Sequence, residues 1–246
     1  MQNKTHRVYL LIFTLFVSVT IALPNFPGRG SRDSYTRFGI APVIGFYSLK
    51  TPHAISAKPR MSFSAFVKKE WSMDHRNQTF LSIGLEYFLH GVNFKSYYFN
   101  QDTLQLYDKS FGYNYHLYIH ELNLPIQAKY TFNSTTNSLS TPYISIGYHL
   151  RYLAAASLKV DQDGVIQKSG YVDMKFKNPF LSSKINSFVG INFGFQSNKT
   201  RNSSTTFFVE LSYRYGFSPY YFQENYSASS LYINSSHLSL NIGVGF

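Results

Sequence analysis

Large apolar residues occupy every second position through most of this chain. Leu81, Ile83, Leu85, Tyr87 and Leu89 alternate with Ser82, Gly84, Glu86, Phe88 and His90. Phe207, Val209, Leu211, Tyr213, Tyr215 and Phe217 repeat the pattern, as do Leu238, Leu240, Ile242, Val244 and Phe246. A period of two with one apolar face is the pattern of a strand. It predicts eight strands, at about 35–50, 59–72, 78–92, 113–132, 141–158, 183–197, 205–218 and 235–246. Each is long enough to cross a bilayer, which takes about 9–11 residues of strand.

Connector lengths alternate too. Those after strands two, four and six are short and turn-like, whereas 93–112, 159–182 and 219–234 are long. Outer-membrane barrels combine short periplasmic turns with longer external loops. The expectation is an all-β, eight-stranded antiparallel transmembrane β-barrel of up-and-down topology, with both termini periplasmic, in the cell outer membrane.

Composition decides which face is wet. Aromatic residues make up 18% of the chain and charged residues 14%, a poor balance for a soluble surface. Roughly five large apolar residues per strand, about 40 in all, would not fit inside an eight-stranded barrel. The Gly, Ser and Asn of the other face would fit, so the apolar face is expected to look outward into lipid. Trp71, Tyr130 and Tyr152 stand at strand ends, where aromatic girdles lie.

One strand resists a simple reading. In "HELNLPIQAKY" the residues Leu122, Leu124, Ile126, Ala128 and Tyr130 alternate with Asn123, Pro125, Gln127 and Lys129. A proline removes a ladder hydrogen bond. Upstream, the apolar phase is odd (Tyr113, Tyr115, Leu117, Ile119) and changes to even at Leu122. A β-bulge near Glu121 accounts for such a switch, as does an upstream part standing above the membrane.

The stretch "ELNLPIQAKY" resembles the Pro-containing strand of the PorT-like outer-membrane β-barrel proteins of Bacteroidota. "TPYISIGYHLRYL", "FVGINFGFQ", "FFVELSYRYGF" and "LSLNIGVGF" resemble that family's later strands in order, so that the likeness covers about residues 35–246. Asn123 departs from it, standing where the family usually has Glu. The resemblance implies an accessory role in type IX secretion, with secretion-system subunits as partners. The final Phe246 resembles the terminal aromatic by which the barrel-assembly machinery recognises its clients.

The first residues read as an export signal: Lys4 and Arg7 precede the apolar run Val8–Leu23, and Thr20 and Ala22 are small residues suited to cleavage. The expected organisation is a signal peptide over 1–22, a short periplasmic tail over 23–34 and the barrel over 35–246. Lys4 and Arg7 supply two of the +11 formal charges, so the mature chain keeps +9.

Chemistry-bearing motifs are sparse. The chain has no cysteine, which excludes disulfides and thiolate sites. His116 and His120 share a strand face roughly 13 Å apart, too far to bind one metal ion. "DQDG" (Asp161–Gly164) begins like a calcium loop but lacks the later Glu, and reads as a turn. No cofactor is expected. The wet face carries Lys68, Glu70, Glu86, Lys129, Arg151, Glu210 and Arg214, with His90 and His149. Charges confined in a narrow barrel must pair, so a structural network is expected rather than a catalytic site.

The leading expectation is a non-enzymatic interaction or assembly component acting through its loops. Tyr97, Tyr98, Phe99, Tyr220, Tyr221 and Phe222 mark a loop surface. The alternatives are a lipid-modifying barrel enzyme, assembled from a serine with His90 and Glu86, or a carrier of a small hydrophobic ligand. Loops 51–58 (with Lys50 and Arg60), 93–112, 159–184 and 219–234 together carry +4, which suits membrane lipid and lipopolysaccharide head groups rather than nucleic acid.

Overall fold

Backbone N–H and C=O groups facing lipid have to be satisfied within the protein, and a closed ring of strands satisfies all of them. The computed structural model describes residues 34–50, 54–74, 76–97, 112–132, 140–162, 165–171, 185–197, 205–217, 220–223 and 230–246. The expected signal peptide and nearly all of the tail lie outside the described residues.

The strands are β1 (Ser34–Lys50), β2 (Ala54–Lys58), β3 (Arg60–Ser72), β4 (Thr79–Tyr97), β5 (Gly112–Thr131), β6 (Ser140–Gln162), β7 (Val165–Tyr171), β8 (Ile185–Ser197), β9 (Thr206–Gly216), β10 (Tyr220–Gln223) and β11 (Ser230–Gly245). The order β1-β3-β4-β5-β6-β8-β9-β11 is closed by pairing of β1 with β11, giving an eight-stranded antiparallel up-and-down barrel. The last residue finishes the seam, where Thr36 and Phe246 exchange backbone hydrogen bonds of 2.9 Å.

Three short strands decorate one end. β2 continues the β3 side of β4, β7 makes a hairpin with β6, and β10 makes one with β11. Pro59 separates β2 from β3, as a residue without an N–H can. The barrel is also lopsided: β4, β5 and β6 run 19, 20 and 23 residues, whereas β8 and β9 run 13 and 11. A wall therefore rises on one side, at the end opposite the termini. We call that end upper.

The large exterior residues form a band around the lower barrel. Ile146 is 59% and Phe207 64% exposed, and Phe63, Ile126, Ile191, Tyr213 and Ile242 belong to the same band. On β5 the band runs from Leu122 to Tyr130, about 27 Å along the strand at 3.4 Å per residue.

The structure resolves the puzzle of β5 differently from the bulge expected on that strand. Odd positions stay buried from Tyr115 to Thr131, so β5 never changes face. The register does shift between His120 and Glu121, but the extra residue is Ala154 on β6, since His120 pairs with Ala155 and Glu121 with Leu153. The chemistry of the interior is what changes along β5, from Tyr115, Leu117 and Ile119 to Glu121, Asn123, Gln127 and Lys129. Pro125 lies where the β4–β5 ladder skips two pairs, between Ile83↔Ile126 and Glu86↔Asn123, so its missing N–H falls in an interruption.

Candidate functional site

Alternation directs Lys68 and Glu70 (β3), Glu86 (β4), Lys129 (β5), Arg151 (β6), Glu210 and Arg214 (β9) inward, and all are buried. Arg37 and Glu121 join them. Together they make three tiers. Inward glycines create the room: a Cβ on Gly84 would collide with the Val67 carbonyl, and one on Gly190 would stand 3.1 Å from His149 Nε2.

The lowest tier centres on Glu70, whose oxygens meet Arg37 Nη1 at 3.0 Å and Lys129 Nζ at 2.7 Å. Lys129 also donates to Gln196 Oε1 at 2.9 Å. The Tyr143 hydroxyl donates to Glu210 Oε2 at 3.1 Å, and Asn241 Nδ2 donates to Glu210 Oε1 at 2.6 Å. Aromatic faces replace lost hydration here, with Arg37 lying 3.9 Å over Phe208 and Lys129 4.7 Å over Tyr143. A cavity of about 120 Å³ opens beside this tier, lined by residues including Tyr35, Arg37, Glu70, Phe80 and Lys129.

In the middle tier Arg214 Nη1 reaches Glu86 Oε1 at 2.9 Å and Oε2 at 2.8 Å. Asn123 Nδ2 donates to the same carboxylate at 3.3 Å. Lys68 donates to Gln127 Oε1 at 3.0 Å, and Gln127 Nε2 lies 3.2 Å from His149 Nε2.

The upper tier joins Arg151 Nη1 to Glu121 Oε2 at 3.1 Å, with His90 Nε2 3.3 Å from that same oxygen. The Tyr47 hydroxyl stands 3.1 Å from His90 Nδ1. His237 packs against His90 with ring centroids 5.1 Å apart, and also contacts Phe88 and Phe188. His90 therefore finds its carboxylate in Glu121 on the neighbouring strand. Glu86 lies four residues away on the same strand and is held by Arg214, so the expected pairing of His90 with Glu86 does not form. The hydroxyl on His90 belongs to tyrosine, not serine.

Above this tier the interior is apolar. Val92, Leu117, Ile119, Ala156 and Ile233 are buried there, while Phe88, Leu153 and Phe188 are buried within and below the tier itself, with Ala41 and Val43 against Phe88. Among the described residues these side chains fill the upper part of the lumen. The outward side chains of the wall are polar, and Tyr87 places its hydroxyl 2.6 Å from His120 Nδ1, while His116 Nδ1 is 3.0 Å from Asn93 Oδ1.

Of the proposed loop surface, Tyr97 ends β4 and Tyr220, Tyr221 and Phe222 lie in β10. Tyr98 and Phe99 lie outside the described residues. So do Asp163 and Gly164 of the "DQDG" stretch, which falls between the antiparallel partners β6 and β7. Phe246 is exposed, its ring edge-on to Phe38 at 6.3 Å.

No family model and no curated protein match the chain. Solved structures do. The outer membrane protein OprG from Pseudomonas aeruginosa superposes with a TM-score of 0.50 at 12% identity, over 89% of this chain and 98% of OprG. The chain has the fold of an outer-membrane β-barrel protein. Neisserial surface protein A is similar over 88% of this chain and 98% of its own, with a TM-score of 0.42 and 15% identity. The attachment invasion locus protein Ail of Yersinia pestis gives a TM-score of 0.32 at 12% identity, over 87% of this chain and 97% of Ail.

Sequence reading missed Arg37, Glu121, Tyr47 and His237. Three of them carried a usable signal. Arg37 alternates with the outward Phe38 and Ile40, Glu121 continues the inward phase of Asn123 to Lys129, and His237 is in phase with Ser239 and Asn241.

Proposed function

We propose that this chain is a non-enzymatic outer-membrane barrel protein that acts through its raised upper wall and loops, and not through its lumen. The observation that carries this reading is the interior filled by buried, mutually paired side chains among the described residues. The lumen charges bind one another, and buried Val92, Leu117, Ile119, Ala156 and Ile233 lie at and above the level of the uppermost of them. An eight-stranded lumen filled in this way is poorly suited to passing a solute. The lower cavity of about 120 Å³ is polar and small, poorly suited to an acyl chain or a hydrophobic cargo.

Among the described residues, the Tyr47–His90–Glu121 line is the nearest approach to catalytic geometry. Its tyrosine lies in the interior, and Glu121 is neutralised by Arg151. That supports a structural role.

In this reading the charge network of Lys68, Glu70, Glu86, Lys129, Arg151, Glu210 and Arg214 stiffens the barrel. Both termini face the periplasm, and Phe246 serves the barrel-assembly machinery. The resemblance to PorT-like proteins names type IX secretion subunits as the partners to seek. The test is cross-linking in intact cells, extraction in mild detergent and identification of co-purifying proteins. Secretion subunits at fixed stoichiometry are expected. Recovery of assembly factors and lipopolysaccharide alone would sink the secretion reading.

A further inference from the structure

The outer face of the wall carries a feature of its own, and its interpretation rests on placing the lower barrel in a membrane. Strands β2, β4, β5 and β6 lie side by side there. Their registers place Lys58 opposite Asn93, Asn93 opposite His116, and His116 opposite Lys159. The adjacent row, Ala57, Phe94 and Tyr115, turns Phe94 and Tyr115 into the interior, so the Lys58–Lys159 rung faces out. Lys95 stands one outward step above Asn93.

Arg60 completes the group. Its Nη1 donates to Asn93 Oδ1 at 3.0 Å, and its guanidinium lies 3.8 Å over the Tyr118 ring. Asn93 and Tyr118 thus fix the guanidinium on the outer surface beside His116. Four cations, Lys58, Arg60, Lys95 and Lys159, share a patch about 14 Å wide, taking three interstrand steps of about 4.8 Å.

What lies beneath the patch narrows the choice of ligand. Down the same strands the outward residues become Tyr118 and His120, and then Leu89, Tyr87, Leu122 and Leu124. The cations thus stand above an apolar strip, with Tyr118 and His120 between the two. A free anion has no use for that strip, whereas an amphiphile whose phosphates sit above acyl chains matches both parts.

We propose that this rung is a binding site for the phosphate-bearing headgroup of a lipid in the leaflet around the upper rim, with its acyl chains lying along Leu89, Leu122 and Leu124. The width of the patch fits a lipid carrying more than one phosphate. Lys58, Arg60, Lys95 and Lys159 make charge-assisted hydrogen bonds to the phosphates, and Asn93 positions Arg60.

The test uses the full mature chain in nanodiscs of phosphatidylcholine doped with bisphosphorylated lipid A. Lipid retained after transfer to detergent is counted by native mass spectrometry. Lys58→Gln/Lys95→Gln/Lys159→Gln is expected to lower retention by about tenfold or more, while Lys69→Gln, at the lower end, leaves it unchanged. Lipid A stripped of its phosphates should not be retained by the unaltered chain, an arm that needs no variant to fold. Equal retention of phosphorylated and stripped lipid overturns the proposal, as does full retention by the triple variant. So does capture, from an outer-membrane extract, of an acidic protein in place of lipid. A barrel that inserts into phosphatidylcholine yet retains no lipid A defeats this site alone; failure to insert defeats the membrane reading beneath it.

Discussion

Strand β4 passes through two environments. In its lower part the inward residues are Ser82, Gly84 and Glu86, and the outward ones are Leu81, Ile83, Leu85, Tyr87 and Leu89. Further up, beyond the inward Phe88 and His90, Val92 and Phe94 turn inward, and Asn93 and Lys95 turn outward. β5 makes the same exchange between Glu121 and Ile119 without altering its alternation. The lower barrel is polar inside and apolar outside, and the wall is the reverse. One continuous set of strands thus serves two solvents, lipid below and water above, because side-chain direction is fixed by the pleat while the favoured chemistry of each face is set by what surrounds it.

The difference is sharpest inside, where the largest effects are expected. Glu86→Leu leaves Arg214 buried without its carboxylate and should cost about 3–5 kcal/mol, read from urea unfolding in lipid vesicles. Adding Arg214→Met should recover most of that loss. If the single variant unfolds like the parent, the lower network does not hold the barrel together.

Exterior charge separates the two regions next. Ile191→Arg, in the centre of the apolar band, should cost about 2–4 kcal/mol as an arginine near the bilayer midplane. Ser157→Arg, outward on the wall opposite Tyr118, should change stability by less than about 0.5 kcal/mol. Equal costs at both positions would erase the boundary.

The smallest effect lies at the lower rim. Asp74 accepts backbone N–H bonds from Gln78 at 2.8 Å and Thr79 at 3.2 Å, in a turn where Asn77 has φ of 53°. Desolvation raises its pKa, but the hydrogen bonds it accepts together outweigh that and hold the carboxyl below the ordinary aspartate range. A depressed folded-state pKa contributes stability above the unfolded aspartate value, and that contribution is lost as pH falls through the folded one. Asp74→Ala should therefore weaken the barrel slightly at neutral pH, and the gap from the parent should close in acid.

The strands and their closure were legible because β8, β9 and the lower parts of β4 to β6 keep one clean period of two. The inward phase of Lys68, Glu70, Glu86, Lys129, Arg151, Glu210 and Arg214 was readable for the same reason. The wall was harder. Apolar Tyr115, Leu117 and Ile119 look like a lipid face in a pattern that does not record which solvent lies outside, so a change of environment reads as a change of face. The short strands β2, β7 and β10 fall in stretches that read as connectors. Glu121 stood at the apparent switch and was not counted among the inward charges, and the extra residue Ala154 shows only in the register of two strands together.

The central claim is that one set of strands leaves lipid for water near Tyr118. The absence of native cysteine makes it directly measurable. Single cysteines at Tyr130, Ile126, Leu124, Leu122, Tyr118, His116 and Asn114 would carry spin labels in reconstituted protein, each tested against oxygen and against a water-soluble nickel reagent. The account predicts oxygen-dominated, lipid-like accessibility at Leu122, Leu124 and Ile126, and nickel-dominated, aqueous accessibility at His116 and Asn114, with the crossover near Tyr118. Aqueous accessibility at Leu124 and Ile126, or a lipid-like signal at His116 and Asn114, would contradict it.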